Sequence, residues 1–197
     1  KIFEEFFNSA SLHPKTCFSN LTLMYFGRLD ELKNYCEALQ IFASFINDEE
    51  IMYFFIGVGA EQKSFIYSLK QKGMLNKTLL RSQIDFDQIP YLINLVKQQR
   101  GIFISPSKGE SFGLGAAEFI SGGVPVLLSN IDAHRGLVKN DAKFIYPLGD
   151  IDTARQKLNN LLTNWDVMSQ QVIKYGEEFK DTSFIAAWDK LTDHFNK

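Results

Sequence analysis

The chain has 197 residues, 45% of them apolar, and a formal net charge of -2 from 21 basic and 23 acidic side chains. That length fills one good-sized hydrophobic core or two small ones, and the interspersed signs lack the clustered basic face that nucleic acid demands. The longest apolar run, Ile51 to Ala60, is far short of the roughly 20 residues that span a bilayer, and no signal-peptide pattern opens the chain, so a cytoplasmic protein is expected.

Ile2, Phe3, Phe6 and Phe7 recur at helical spacing, and residues 1–20 are expected to form a linker or leading helical segment. A strand is predicted over 21–26, followed by a helix over 31–46. In that helix Leu32, Tyr35, Cys36, Leu39, Ala43 and Ile46 recur on one face, which would turn Cys36 into the core as an inert thiol. Cys17 and Cys36 are too few for a disulfide framework or a metal cluster. A strand at 51–56 and a helix at 60–72 come next, then a strand at 77–80 and a helix at 88–98. Asp85-Phe86-Asp87 ahead of that helix reads as capping, with Asp87 at the N-cap and Pro90 in the first turn, rather than as a metal and diphosphate site.

The remaining pairs are a strand at 101–105 with a helix at 113–121, a strand at 124–129 with a helix at 133–138, and a strand at 143–146 with a helix at 151–163. His134 follows the strand ending at Ser129 and falls either in the cleft or on the surface; His13 and His194 have no metal-ligand spacing. Helical segments near 166–179 and 183–195 close the chain. Runs such as IMYFFI and VPVLL suit strands buried on both faces, and crossovers of this length make a sheet parallel. The expected fold is therefore α/β, a doubly wound, Rossmann-like parallel sheet of about six strands over 21–163. Helices in 164–197 would pack on it or cross to another lobe.

Such a sheet binds ligands beyond the carboxyl ends of its strands. Arg28, Gly57, Ser107, Glu110 and Asn130 all fall at or just past those ends. In PSKGESFGLGAAEFISGGVP, residues 106–125, Glu110 lies in a Gly-rich turn and Glu118 about one and a half turns into the following helix. At about 1.5 Å per residue plus the loop step, the carboxylates stand roughly 10 Å apart. They are too distant to share a proton, but they suit a ligand with hydroxyls at both ends and phosphate between, facing the amides and positive dipole of a helix N-terminus. Arg28 and Lys33 follow a strand ending in Gly27 and supply a planar fork and a point charge for a diphosphate.

These segments resemble the C-terminal half of the retaining glycosyltransferases of GT-B fold, above all family 4, whose signature is two glutamates separated by seven residues. Here it reads Glu110-SFGLGAA-Glu118. YFGRLDELKN carries the family's Gly-Arg-Leu with a lysine five residues beyond the arginine, at Arg28 and Lys33. Gly57-Val58-Gly59, Ile104-Ser105-Pro106-Ser107 and Gly123-Val124-Pro125-Val126 match further. DQIPYLINLVKQQRGIFISPSKGESFGL is similar to the sucrose synthase and sucrose-phosphate synthase branch and favours a UDP-hexose donor. The likeness covers about Leu21 to Leu162. It departs at Asn34, where the family usually has Gly, and at Gly136, where a glutamate is common.

What the resemblance implies is transfer of a hexose from a nucleotide diphosphate sugar to a hydroxyl of a carbohydrate, lipid-linked or other acceptor, with retention and without a metal cofactor. Arg28, Lys33 and Glu110 would be catalytic. Gly27, Ser111, Phe112, Gly113, Leu114 and Glu118 would bind the donor, Glu110 holding hexose hydroxyls and Glu118 the ribose diol. An enzyme of this fold needs two lobes, and the chain starts at Lys1, so one lobe of a larger protein is expected. The isolated lobe would then be inactive without its N-terminal partner, which could also place it at a membrane surface. A binding lobe without catalysis and an epimerase of the same fold are the alternatives.

Overall fold

The computed structural model describes residues 21 to 179. The expected leading segment, the helix over 183–195, Cys17, His13 and His194 lie outside the described residues. The elements alternate as β1 (Leu21–Phe26), α1 (Tyr35–Ala43), β2 (Ile51–Ile56), α2 (Gln62–Gln71), β3 (Thr78–Arg81), α3 (Ile89–Gln98), β4 (Ile102–Ser105), α4 (Leu114–Ser121), β5 (Val126–Ser129), α5 (Asp132–Leu137) and β6 (Ile145–Tyr146). Helices α6 (Ile151–Thr163) and α7 (Trp165–Gly176) follow.

All strand pairs are parallel, in the order β3-β2-β1-β4-β5-β6. This is the doubly wound order, with the reversal between β1 and β4 opening a crevice at their carboxyl ends. Parallel strands require helical crossovers on both faces, so β1 and β2 are apolar on both faces, with Thr22 the one exception: Leu23, Met24 and Tyr25 pair with Tyr53, Phe54 and Phe55, all at most 3% exposed. On one face Phe42 of α1 stacks on Tyr53 at 5.4 Å and tilts onto Phe55 at 4.9 Å. Phe103 of β4 stacks on Phe119 of α4 at 4.4 Å. That contact fixes the helix that Gly113 opens and that carries Glu118 against the sheet.

Helix α7 returns over α4. Ser169 Oγ donates to the Gly123 carbonyl at 2.6 Å and Trp165 Nε1 to that of Gly101 at 2.9 Å.

Two local expectations are corrected. Helix α1 does not begin at residue 31, because residues 31–34 form a turn that ends with Asn34 in the left-handed region (φ 54°, ψ 42°). The break resets the helical phase, leaving Leu32 47% exposed and Cys36 a free, exposed thiol. Glu37 takes a buried position instead, accepting from Asn34 Nδ2 at 2.6 Å and from the Gly149 amide at 2.9 Å. Asp87 is not an N-cap either: it sits within a 3-10 turn, Phe86–Gln88, and α3 starts afterwards with Gln88 as its uncapped flank and Pro90 in its first turn.

Candidate functional site

The crevice is built from loops that continue the sheet beyond its strands. Gly27 and Leu29 donate to the carbonyls of Ile56 and Val58 at 3.0 Å each, and Gly57 donates to that of Arg81 at 2.9 Å. Glycine is required at 57 because a Cβ there would lie 1.9 Å from the Gly27 carbonyl oxygen.

After this zipped segment Asp30 organises the turn. Its Oδ1 accepts from the Lys33 amide at 2.8 Å and its Oδ2 pairs with Arg28 Nε at 3.1 Å. One carboxylate thus holds the Arg28 side chain and the backbone of Lys33. Asn34 then reverses the backbone, and its Nδ2 donates to the Pro106 carbonyl at 3.1 Å while the Lys108 amide donates to that of Leu32 at 2.9 Å. These bonds fasten the loop after β1 to the loop after β4. Across that seam Lys33 Nζ donates to Glu110 Oε1 at 2.6 Å, and Ser107 Oγ donates to the same oxygen at 2.7 Å. Both bonds use Oε1, leaving Oε2 free for further donors.

Gly113 supplies the turn into α4 at φ 87°, where L side chains are strained, and an added Cβ would sit 3.2 Å from Leu137 and 3.5 Å from the His134 ring. The amides of the first turn of α4 have no intrahelical acceptor and face the crevice end of the helix, a ready anion site. Ser111, Phe112 and Leu114 are exposed around it. Glu118 lies further along α4, half-buried in a pocket of about 790 Å³ whose wall includes Phe86, Phe112, Leu114 and Phe179.

The two glutamates differ electrostatically. Burial pushes the Glu110 carboxyl up, but the hydrogen bonds from Lys33 and Ser107 and the Lys33 charge outweigh it, so it lies below the usual carboxylate range. Burial alone raises Glu118 above that range. His134 is fully buried and held below its ordinary value, first by burial; a Ser129 backbone hydrogen bond and Glu110 pull the other way.

The residues expected at the crevice therefore separate. Lys33, Glu110, Ser107 and Gly113 come together around a small polar cavity of about 40 Å³ that His134 also lines. His134 belongs to the cleft and not to the surface. Arg28 does not meet Glu110; it lies beside Asp30 with its side chain 65% exposed. Gly27 lies under Lys33, whose Cδ would be 3.7 Å from an added Cβ. Asn34 adopts the positive φ for which Gly is the usual residue, and Asn is among the few others that do so readily. Gly136 faces open space. Asp30 escaped sequence reasoning, though its place between two cations, three residues before Lys33, was a readable turn signal. Among the described residues no group of three or more His, Cys, Asp or Glu side chains is placed to hold a metal, and no helix is long and apolar enough to cross a membrane.

A family model described as glycosyl transferases group 1 matches residues 19–179. No curated protein matches the sequence significantly. Among solved structures, TarM of S. aureus, in a complex containing UDP, aligns with a TM-score of 0.75 at 16% identity over 93% of this chain and 37% of its own. Sucrose-phosphate synthase of Thermosynechococcus elongatus aligns at 0.78 with 16% identity, over 95% of this chain and 48% of its own. Anabaena HepE, in complex with UDP-glucose, aligns at 0.70 with 17% identity, over 81% and 43%. At these identities the likeness shows a shared fold, that of a glycosyltransferase GT-B lobe, and the chain spans less than half of each of the three.

Proposed function

We infer from the family to which the chain belongs, the glycosyl transferases group 1, that it is the donor-binding lobe of a retaining hexosyltransferase. The observation that carries this reading is the Lys33–Glu110–Ser107 cluster beside the Gly113 helix start, at the carboxyl edge of the sheet. The donor is a nucleotide diphosphate hexose. UDP is favoured by the sucrose-synthase-like run at 87–114 and by neighbours whose structures hold UDP or UDP-glucose.

Its diphosphate lies on the amides of Phe112, Gly113 and Leu114, with Ser111 at the turn and Gly27 leaving room beneath. Glu118 takes the ribose diol and Glu110 Oε2 the hexose hydroxyls. In the reaction the bond from the anomeric carbon to the diphosphate breaks, its electron pair going to the leaving phosphate oxygen. The acceptor oxygen bonds to that carbon on the same face, and the acceptor proton passes to the leaving group. Lys33, and Arg28 swung from Asp30, neutralise the growing charge, the dominant electrostatic contribution in such chemistry. These cations make a metal unnecessary. The domain over 21–163 acts with an N-terminal lobe that binds the acceptor, and the isolated lobe is inactive in transfer.

Calorimetry of the chain against UDP, GDP, ADP and their hexose conjugates tests the donor site. Binding of one base at micromolar to low millimolar Kd, about -4 to -8 kcal/mol, weakened in Glu118→Ala and Arg28→Ala, is the expected result. Equal, undiminished binding of all three diphosphates in both variants would overturn the assignment.

A further inference from the structure

We propose that His134 is a positioning residue that orients the Glu110 carboxylate through the hydroxyls of Ser105 and Ser107, and that protonation of its imidazole reverses the direction of this relay. Its significance for hexose binding rests on the donor-site reading above; the relay itself does not.

The hydrogen-bond inventory fixes the tautomer. His134 Nδ1 lies 3.0 Å from the Ser129 carbonyl oxygen and 3.0 Å from Ser129 Oγ. The Ser129 hydroxyl has one proton, and it is donated to the Ser107 carbonyl at 2.5 Å. Both atoms facing Nδ1 are therefore acceptors, so Nδ1 carries the hydrogen. In the neutral ring Nε2 is then an acceptor, and the atom facing it is Ser105 Oγ at 3.3 Å. Ser105 Oγ is also 3.3 Å from Ser107 Oγ, whose own proton goes to Glu110 Oε1 at 2.7 Å.

Ser105 has a single proton to place between these two neighbours. With His134 neutral, the proton points at Nε2, and the Ser107–Glu110 bond stands at the end of the chain. With His134 cationic, Nε2–H donates to Ser105 Oγ, and the Ser105 proton turns to Ser107 Oγ. A one-way series of donors, His134 to Ser105 to Ser107 to Glu110, is then complete. No proton reaches the carboxylate; only hydroxyl orientations change. Chains of this kind polarise one another in a low-dielectric site, so Glu110 Oε1 is held most firmly when the imidazole is charged.

The charged surroundings are few. Glu110, from the loop after β4, favours the imidazolium, while Lys33, from the turn after β1, opposes it, and burial opposes it most. Tyr25 of β1 lines the same cavity. On α5 itself, Asp132 and Arg135 pair with each other at the exposed side. The neutral ring is the resting form near neutral pH, and the relay reverses as the pH falls through a midpoint that burial holds below that of a free histidine.

The test is nitrogen-15 NMR of the imidazoles in the full chain without nucleotide, using His134→Asn to pick its ring out of the three histidines. The expected spectrum shows the Nδ1–H tautomer at neutral pH and a titration midpoint below that of a free histidine. Ser105→Ala lowers the midpoint because the imidazolium loses its acceptor, and Ser105→Thr, which keeps the hydroxyl, restores it. Glu110→Gln also lowers it, and Lys33→Ala raises it. An Nε2–H tautomer, or a midpoint indifferent to Ser105→Ala, would overturn the proposal; a purely packing histidine would show that indifference. The spectra decide the relay whether or not UDP binds, so failure of the donor-site reading is read separately, in the calorimetry.

Discussion

Lys33 and Glu110, 77 residues apart in sequence, meet at 2.6 Å across the seam between the loops after β1 and β4, with side chains only 25% and 14% exposed. The pair joins the two halves of the doubly wound sheet at the point where strand order reverses. Its partial burial separates it from an exposed single-contact bridge such as Lys108–Glu31, which contributes little.

A double-mutant cycle on Lys33→Ala and Glu110→Ala should therefore give a coupling of about 0.5 to 3 kcal/mol in urea unfolding. The pH dependence follows from the direction of the Glu110 shift. A carboxyl whose folded pKa lies below its unfolded value contributes stability that is present above the unfolded pKa and is lost as pH falls through the folded one. Wild type should lose this contribution in acid, and Lys33→Ala should flatten that part of the profile. Strictly additive single effects would remove the pair from the account of the fold.

Asn34 offers a cleaner test of backbone chemistry. At φ 54° an alanine there carries the left-handed penalty and also loses the bonds to the Pro106 carbonyl and the Glu37 carboxylate, whereas glycine loses only those bonds. Asn34→Ala should be less stable than Asn34→Gly by about 1 kcal/mol, the order of the left-handed cost for L residues. Thermal melts of the two variants measure the difference, and equal stabilities would mean that the turn relaxes out of the left-handed region.

The fold was legible because both of its signals are local. A continuous apolar run marked β2, and one interrupted only by Thr22 marked β1, each to the residue, and the Gly-rich turn with its downstream glutamate marked the start of α4. The short edge of the sheet was less so: the residues expected at 124 and 143 to open the last two strands lie ahead of β5 and β6, which begin at Val126 and Ile145. The failures share a cause. Cys36 and Asp87 were read from helical spacing and capping chemistry on the assumption that each helix began where its pattern did. A left-handed Asn34 and a 3-10 turn at Phe86–Gln88 shifted both starts. Asp30 acts within its own turn, but the Lys33–Glu110 and Asn34–Pro106 bonds that close the site join that turn to a loop more than 70 residues away, which no spacing within one segment encodes.

Gly57→Ala tests the zipped loops. The added methyl carbon would stand 1.9 Å from the Gly27 carbonyl oxygen, a backbone atom that cannot rotate away, so the loops after β1 and β2 must separate. The cost should be on the order of 1 to 3 kcal/mol or more, as for other overpacked positions. Because Gly27 precedes Arg28, nucleotide affinity should fall with it. Unchanged melting in Gly57→Ala would show that this close approach does not hold the crevice.

Glu118 carries the prediction that joins electrostatics to function. Burial has raised its pKa above the usual carboxylate range. The sign for folding is thus opposite to that of Glu110: the contribution is present below the unfolded pKa and is lost as pH rises through the folded one. Ribose hydroxyls would donate to the ionised carboxylate and stabilise the form that burial disfavours, so nucleotide binding should lower this pKa and expel a proton at pH values around it. UDP affinity should then climb as pH rises through the raised Glu118 pKa, with measured heats that depend on the ionisation enthalpy of the buffer. Glu118→Gln should abolish both the climb and the buffer dependence while leaving the His134 titration in place. Proton release that persists in Glu118→Gln would assign the linkage to another group and detach Glu118 from the ribose.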